Sequence, residues 1–331
     1  MDNLDDPRLN FNYRTRERGT VPFDDRRARF QWVSEVAYKN VHRIVARGYD
    51  TTELVEQGYG LTDVLFVDFQ ARIPLVEEDK MLNYVMVCML EDGLSSPANI
   101  SRIVASGKTL LTQAAGASIL AFGHAYGAYQ EIGKMMDGIL ARQKKEGKPL
   151  SDVIKEVIKS RLDDPALGVS DLMLKDPMAK RMIARAEKLG VAGQYVSLMK
   201  EIVKAAKKLS KKPVDIDLLG ATGAVMFDLG FTPEATWGIL AVTRAFAAGA
   251  HYCEEIEREE PVRLGQTLTP ENWYDGPADR PVPTLKERKK IVKAMVAQTP
   301  EEWKKTFLER QKIKGSGWAI VEEIDDPKRK I

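Results

Sequence analysis

The sequence predicts an all-α protein, and two patterns lead to that prediction. Apolar residues recur at steps of three and four along most of the chain, which is the spacing of one face of an amphipathic helix. No region is rich in the alternating pattern of strands, and no internal repeat or low-complexity tract occurs. With 331 residues and 44% hydrophobic side chains, the chain is long enough to bury a substantial core.

The predicted helices follow one another along the chain and are separated by Gly, Pro or polar clusters. They are expected within 26–50 (on the spacing of Phe30, Val33, Val36 and Ala37) and at 61–74, 78–91, 98–107, 108–140, 176–190, 193–213, 218–231, 234–259, 284–298 and 299–311. The helix at 78–91 is apolar nearly all round, which is typical of a core helix. Ser96 and Pro97 are a good N-cap and first position for the next helix.

Small residues are concentrated in two of these segments, 108–140 and 218–231. A glycine inside a helix costs about 1 kcal/mol relative to alanine, so several together need a packing or functional reason. We expect them to allow close helix crossings or the approach of a ligand to the backbone.

Composition excludes several classes of function. The 50 basic and 48 acidic residues nearly cancel, which gives no electrostatic basis for nucleic acid as a partner. The two cysteines, Cys88 and Cys253, are too few for a disulfide scaffold, and no clustered His/Cys ligand set predicts a metal site. The N-terminus lacks an apolar leader and no apolar run is long enough to span a membrane, so we expect a soluble, cytoplasmic protein.

A series of short stretches, in order, resembles the citrate synthase superfamily, most closely its short members, the citryl-CoA lyases. The stretches are "RGYD" (47–50), "ARIP" (71–74), "EDGLSSPANISRIVASG" (91–107), "YGAY" (126–129), "SDLMLKDPM" (170–178), "DLLGATGAVMFDLGF" (217–231) and "RAFAAGAHYCEE" (244–255). The resemblance covers roughly residues 28–265 and leaves the N-terminal arm and the tail outside it.

The resemblance implies an organisation in two helical domains with an active-site cleft between them. The large domain is expected at 28–93 and 226–265, the small domain at 94–225, and a linker with a helical tail at 266–331. It further implies a homodimer that acts on an acyl-CoA thioester as substrate, with no separate cofactor.

Members of this family make or cleave a carbon–carbon bond beside a CoA thioester. A carboxylate removes the α-proton, histidines polarise the reacting oxygens, and arginines hold the substrate carboxylates, which is general acid–base catalysis with oxyanion stabilisation. At the matching positions this chain has Asp92 and Tyr126 in place of the two histidines. The family's aspartate falls at Leu219, with Asp217 two residues earlier. The resemblance therefore makes Asp92, Tyr126 and Asp217 the candidate catalytic residues.

The substrate-binding positions have also changed. Ser170 and Asp171 stand where the family has a histidine and an arginine, and Met178 replaces a second arginine. Since a di- or tricarboxylate needs several fixed cations, citrate or oxaloacetate should bind poorly. Arg244 is the retained carboxylate-binding arginine, and a buried arginine requires an anion, either a protein carboxylate or a ligand.

Three further residues complete the candidate substrate-binding set. His251 lies in the same predicted helix as Arg244, and Arg263 could reach a partner subunit's site. His124 precedes Tyr126 by two residues, so the two side chains diverge by about 200° on a regular helix, and Tyr126 is favoured for the pocket. Packing alone would also account for Tyr126, for Tyr129 in the same stretch and for His124, and Asp92 could be an ordinary turn residue before Gly93.

Three hypotheses for function remain open from the sequence. The first is an acyl-CoA enzyme that makes or cleaves a C–C bond in a non-citrate substrate. The second is thioester hydrolysis, decarboxylation or ring opening on the same scaffold, with Asp92 activating a water molecule. The third is a non-catalytic CoA-binding homologue.

Overall fold

A computed structural model describes residues 34–40, 42–123, 127–162, 164–171 and 177–259, together with the single residues 284, 286, 301 and 305. Within these ranges the chain is predominantly helical, which confirms the all-α prediction. The helices are α1 Thr51–Glu56, α2 Leu61–Gln70, α3 Val76–Leu90, α4 Ser96–Ser106, α5 Leu111–Ala121, α6 Tyr129–Glu146, α7 Leu150–Ile158, α8 Pro177–Leu189, α9 Gln194–Leu209, α10 Leu218–Asp228 and α11 Pro233–Arg258.

The described part of the helix predicted within 26–50 is wrong. Its residues form the strands β1 Ala37–Lys39, β2 Ile44–Ala46 and β3 Tyr49–Asp50, paired antiparallel in that order. The side chain of Asn40 accepts hydrogen bonds from the backbone amides of His42 and Arg43, at 2.9 and 3.0 Å. Such local side-chain bonds compete with helix formation, and they reverse the chain here.

A second, two-stranded sheet consists of β4 Val169–Asp171 and β5 Val214–Ile216, paired antiparallel. Beside this sheet, the Asp217 amide donates a hydrogen bond to the Gly168 carbonyl at 3.2 Å. This bond joins the start of α10 to the residue that precedes β4. Gly168 has φ +75°, and a Cβ on Gly220 would lie 2.3 Å from the Gly168 oxygen. Two glycines are therefore required where β4 passes the first turn of α10.

The core lies around α10, in which every residue from Gly220 to Phe227 is buried. Helices α8, α9 and α6 pack against it, and α11 runs along α3, α4 and α5. Gly133 of α6 abuts Pro233, where an added Cβ would lie 2.4 Å from the proline ring. The small residues of these segments thus serve close helix packing at Gly133 and Gly220.

Several helix ends agree with the sequence and others do not: the helix predicted at 108–140 is divided into α5 and α6, and the N-cap of α4 is Ser95 rather than Ser96. α8 and α9 end before Gly190 and Pro213 as predicted, and α11 is one long helix capped by Thr232. α2 ends at Gln70 rather than near Pro74, because Ala71 has φ +56° and its amide closes the last turn on Val67.

The described residues up to Glu259 belong to one compact unit, and a second unit begins at Glu260. The division of the first unit into a large and a small domain stays a prediction. The linker and tail predicted at 266–331 lie almost entirely outside the described residues. No helix of the described ranges is long and apolar enough to cross a membrane.

Candidate active site

Two acidic residues follow the last residue of α3. Glu91 leaves the helix with extended backbone, and Asp92 comes next, before Gly93, whose φ of +56° turns the chain toward α4. The Asp92 side chain is 48% exposed. The carboxylate is thus held at a turn, as predicted, and is still open to solvent.

Arg244 approaches this turn from the middle of α11 and is only 5% exposed. Its Nε donates a hydrogen bond to the carbonyl of Met89 at 2.9 Å, and its Nη1 lies 2.9 Å from Asp92 Oδ2. Nη1 makes no well-directed hydrogen bond within the described part of the chain, so the contact with Asp92 is an ion pair. Burial lowers the pKa of Arg244 and the nearby charge of Glu91 raises it. The predicted burial of Arg244 is observed, and Asp92 is the anion that it faces.

His251 lies two helical turns after Arg244 on the same helix. Its Nε2 is 3.3 Å from Glu91 Oε1, and the same carboxylate oxygen accepts the Asp92 amide at 2.9 Å. Because Glu91 touches both the histidine and the turn, these four residues form one group, which we call the Arg244 cluster: Glu91, Asp92, Arg244 and His251.

The acids farther along α11 are held by another residue. Arg102 of α4 lies 2.6 Å from Glu254 and 2.7 Å from the buried Glu255. This network fixes α4 on α11, as does the bond from Ser101 Oγ to the Ala248 carbonyl at 2.7 Å. The Arg244 cluster is therefore placed by helices that are firmly joined.

Asp217 occupies the N-cap of α10. Its Oδ1 accepts the Gly220 amide at 2.8 Å, which is a standard capping bond for an aspartate before a helix. This structural role accounts for an aspartate at this position. A catalytic role for Asp217 stays a prediction.

Tyr129, at the start of α6, is the second tyrosine of the 126–129 stretch, for which the sequence left packing and a place in the site both open. Its ring is fully buried, next to Gly223, and its hydroxyl has no hydrogen-bond partner within the described residues. Burial raises its pKa, and the charge of Asp217 raises it further, so the hydroxyl is a neutral donor. The sequence indicates this burial, because Tyr129 begins an apolar stripe that continues at Ile132 and Met136. Its hydroxyl is the one polar atom among these three side chains. Tyr129, Asp217 and Gly220 are called the α10 start below.

The two groups are connected by Met89. Its carbonyl accepts Arg244 Nε, while its sulfur lies 3.7 Å from Thr222 Oγ1, one turn into the buried part of α10. The Thr222 hydroxyl also contacts the sulfur of Met182 at 3.2 Å. A single residue of α3 therefore touches both Arg244 and the helix that Asp217 caps.

The remaining candidates are only partly placed. Ser170 lies half-buried in β4, opposite Asp215, and Asp171 is the last residue of that strand, with a side chain outside the description. His124, Tyr126 and Arg263 lie outside the described residues. The roles of all of these residues stay predictions. Within the described ranges, no group of three or more His, Cys, Asp or Glu side chains could hold a metal ion.

Comparison with known proteins gives a family and a fold. The family model "Citrate synthase, C-terminal domain" matches residues 64–264, more than half of the chain. The structure of citryl-CoA lyase from Hydrogenobacter thermophilus is similar with a TM-score of 0.66 and 23% identity, over 78% of this chain and 99% of that one. No curated protein sequence matches significantly.

Two more distant structures share the fold. Citrate synthase from Thermotoga maritima gives a TM-score of 0.54 at 15% identity, over 71% of this chain and 65% of that one. ATP citrate lyase from Methanothrix soehngenii, solved with citrate and coenzyme A, gives 0.58 at 15% identity, over 91% of this chain and 47% of that one. These likenesses confirm the resemblance drawn from the sequence. The chain belongs to the citrate synthase family.

Proposed function

We propose that this chain acts on an acyl-CoA thioester and makes or cleaves a C–C bond in a substrate with fewer carboxylates than citrate. The observation that carries the proposal is Arg244, a buried guanidinium fixed to the Met89 carbonyl and facing a half-exposed carboxylate. A buried arginine whose protein partner is open to solvent is suited to a second anionic or strongly polar group.

The charges around Arg244 support a weakly charged substrate. Two carboxylates, Glu91 and Asp92, stand beside this one guanidinium, and His251 is bound to Glu91. A tricarboxylate would meet like charges here, which disfavours its binding, whereas a neutral thioester with one carboxylate or none would not. Asp92 is then the residue nearest to the arginine that can take a proton from the substrate.

Calorimetry tests the proposal directly. We expect the full chain to release or absorb heat with acyl-CoA thioesters of different lengths and with CoA, and much less with citrate or oxaloacetate. Arg244→Met should weaken acyl-CoA binding about tenfold or more, the loss of one charge-assisted bond. Arg258→Met, on the same helix but exposed and paired with Glu254, is the matched control. An absence of heat with every thioester would contradict the proposal.

A non-catalytic CoA-binding homologue is the alternative that the structure also supports. Asp217 is committed to the cap of α10, and Asp92 is paired with Arg244. Turnover that disappears in Asp92→Asn and Tyr126→Phe, with helical content and melting unchanged, would exclude this alternative. Oxygen-18 from water found in a released acid would instead identify a hydrolase on the same scaffold.

We also propose that the chain forms a homodimer through α11. Val242, Phe246 and Ile256 lie on one stripe of this helix and are 49%, 62% and 46% exposed. An apolar stripe of this length on a helix whose middle turns are largely buried favours a second copy of the same helix as its partner. Sedimentation of Phe246→Glu, compared with Val87→Glu at another exposed apolar position, tests it: only the former should give monomers.

A cytoplasmic, reducing location is part of the same proposal. The proposal rests on the sequence, whose two cysteines, Cys88 and Cys253, are too few for the disulfide scaffold of a small secreted protein. Fractionation of cells that express the chain would check this location.

A further inference from the structure

A second group of cations lies between α3 and α8, outside the Arg244 cluster. Helix α8 carries four basic residues and one acidic residue, and it packs against α3. Lys180 is paired with Asp215 at 2.7 Å, and Glu187 is paired with Lys200. The basic residues that face α3 are Arg181 and Arg185.

Arg185 has a hydrogen-bond donor that is not used. Its guanidinium carbon lies 5.8 Å from the centre of the Tyr84 ring on α3, which holds the side chain in place. Its Nε is inaccessible to solvent and has no hydrogen-bond partner within the described part of the chain. A buried donor without an acceptor is costly, and it shows that the described side chains leave the charge of Arg185 uncompensated.

Arg181 makes the local charge more positive. It lies one turn before Arg185, and like charges at this spacing repel. Across the described residues, no acidic group lies within ion-pairing distance of either arginine. Two neighbouring guanidinium groups without a carboxylate favour an external anion.

On the α3 side, this group includes the Tyr84 hydroxyl and the Cys88 thiol. Burial raises the pKa of Tyr84, as does Cys88, while Arg181 and Arg185 lower it, so both arginines act on this hydroxyl. Burial likewise raises the pKa of the Cys88 thiol, against the lowering effect of its bond with Tyr84. At neutral pH, therefore, Tyr84 and Cys88 are both uncharged, and neither compensates the charge of the arginines.

We infer that Arg181 and Arg185 form a binding site for a phosphate group between α3 and α8. Guanidinium forks match the oxygens of a phosphate in pairs, and the Tyr84 ring holds one of the two forks in place. The phosphate can be free inorganic phosphate or part of a larger ligand, such as the 3′-phosphate of CoA. The inference does not depend on thioester chemistry.

Titration of the full chain with inorganic phosphate at constant ionic strength, followed by ³¹P NMR, tests the site. The wild type should bind in a saturable manner. The double variant Arg181→Gln/Arg185→Gln should bind about tenfold more weakly or worse, the effect of losing charge-assisted bonds. Tyr84→Phe keeps the ring and should leave phosphate binding unchanged, whereas Arg185→Lys, which keeps the charge without the fork, should bind with an affinity between those of the wild type and the double variant.

The control is Arg142→Gln/Arg258→Gln, which removes the same charge from two exposed arginines that are paired with glutamates. Non-saturable binding to the wild type, equal binding by the Arg181/Arg185 variant, or an equal loss in the control would overturn the inference. Parallel titrations with CoA and dephospho-CoA identify the source of the phosphate. If the Arg181/Arg185 variant loses affinity for CoA but not for dephospho-CoA, the wild-type site binds the 3′-phosphate. If it loses affinity only for inorganic phosphate, the wild-type site binds the free ion.

Discussion

The Arg244 cluster and the α10 start lie on either side of Met89, and they are held in place by different forces. The Arg244 cluster is built from charges, with one buried cation facing carboxylates that remain open to solvent. The α10 start is built from contact, with an N-cap, a fully buried tyrosine and glycines against glycines. Charges at a solvent-open turn can be exchanged without loss of the fold, whereas close backbone contact cannot. Substitutions in the Arg244 cluster can therefore change the chemistry of the site while the α10 start preserves its shape.

The largest effect is expected from a substitution that breaks the backbone contact at the α10 start. In Gly220→Ala the added methyl group would overlap the Gly168 carbonyl, which is backbone and cannot move aside cheaply. We expect the free energy of unfolding to fall by about 3 kcal/mol, measured by urea denaturation. Gly116→Ala in α5 is the control, because nothing lies within 4 Å of an added Cβ there. It should stabilise the protein by up to about 1 kcal/mol. Equal effects in the two variants would mean that β4 does not press on α10.

A smaller effect is expected from the charges of the Arg244 cluster. A double-mutant cycle of Asp92→Asn and Arg244→Met, measured by the same denaturation, should give a coupling energy of about 1 kcal/mol, because Arg244 is buried but Asp92 is half exposed. The exposed pair Arg142 and Glu156 provides the comparison, and its coupling energy should be smaller because water and salt screen both charges. If the two couplings are the same, burial of Arg244 adds nothing to its ion pair.

The difference between the two regions also explains what the sequence could predict. The helical spacing and the caps identify α8, α9 and α11 because these signals are local. For residues 34–50 the helix prediction is wrong, because the Asn40 turn overrides an apolar spacing that also fits a helix. For the site, a buried arginine on an apolar helix predicts that Arg244 needs an anion. Which carboxylate pairs with Arg244 depends on how α3 and α11 cross, and that is a property of tertiary packing. For the same reason, the sequence could not show that the Tyr129 hydroxyl lacks a hydrogen-bond partner among the described residues.

Replacing Tyr129 by phenylalanine should produce a change of opposite sign to that at an ordinary tyrosine. Removal of a buried hydroxyl without a partner relieves a cost, so Tyr129→Phe should be neutral or stabilising by up to about 1 kcal/mol. Tyr195→Phe loses a bond from its hydroxyl to Asp137 at 2.7 Å and should be destabilising by about 0.5 to 1 kcal/mol. Thermal melting of both variants checks the signs. If acyl-CoA stabilises the wild type more than Tyr129→Phe, the hydroxyl donates to the ligand. A destabilisation by Tyr129→Phe in the free protein would show that it has a partner already.

The smallest expected effect is the pH dependence of an ion pair that lies beside the α10 start. Burial raises the pKa of Asp215, but bonds from Lys180 and Lys207 and from the Ile216 amide lower it more, to about 2. Because the folded pKa lies below the ordinary value of about 4, the folded state prefers the ionised carboxylate. Its contribution to stability is complete above pH 4 and is lost as the pH falls toward 2. Both lysines are about half exposed or more, so salt screens them and we expect less than about 1 kcal/mol. Asp215→Asn should therefore lower the free energy of unfolding at pH 6 and leave it unchanged near pH 2, and the difference at pH 6 should shrink in high salt. If the loss of stability persists at pH 2 or is unaffected by salt, Asp215 stabilises the α10 start by packing and not by its charge.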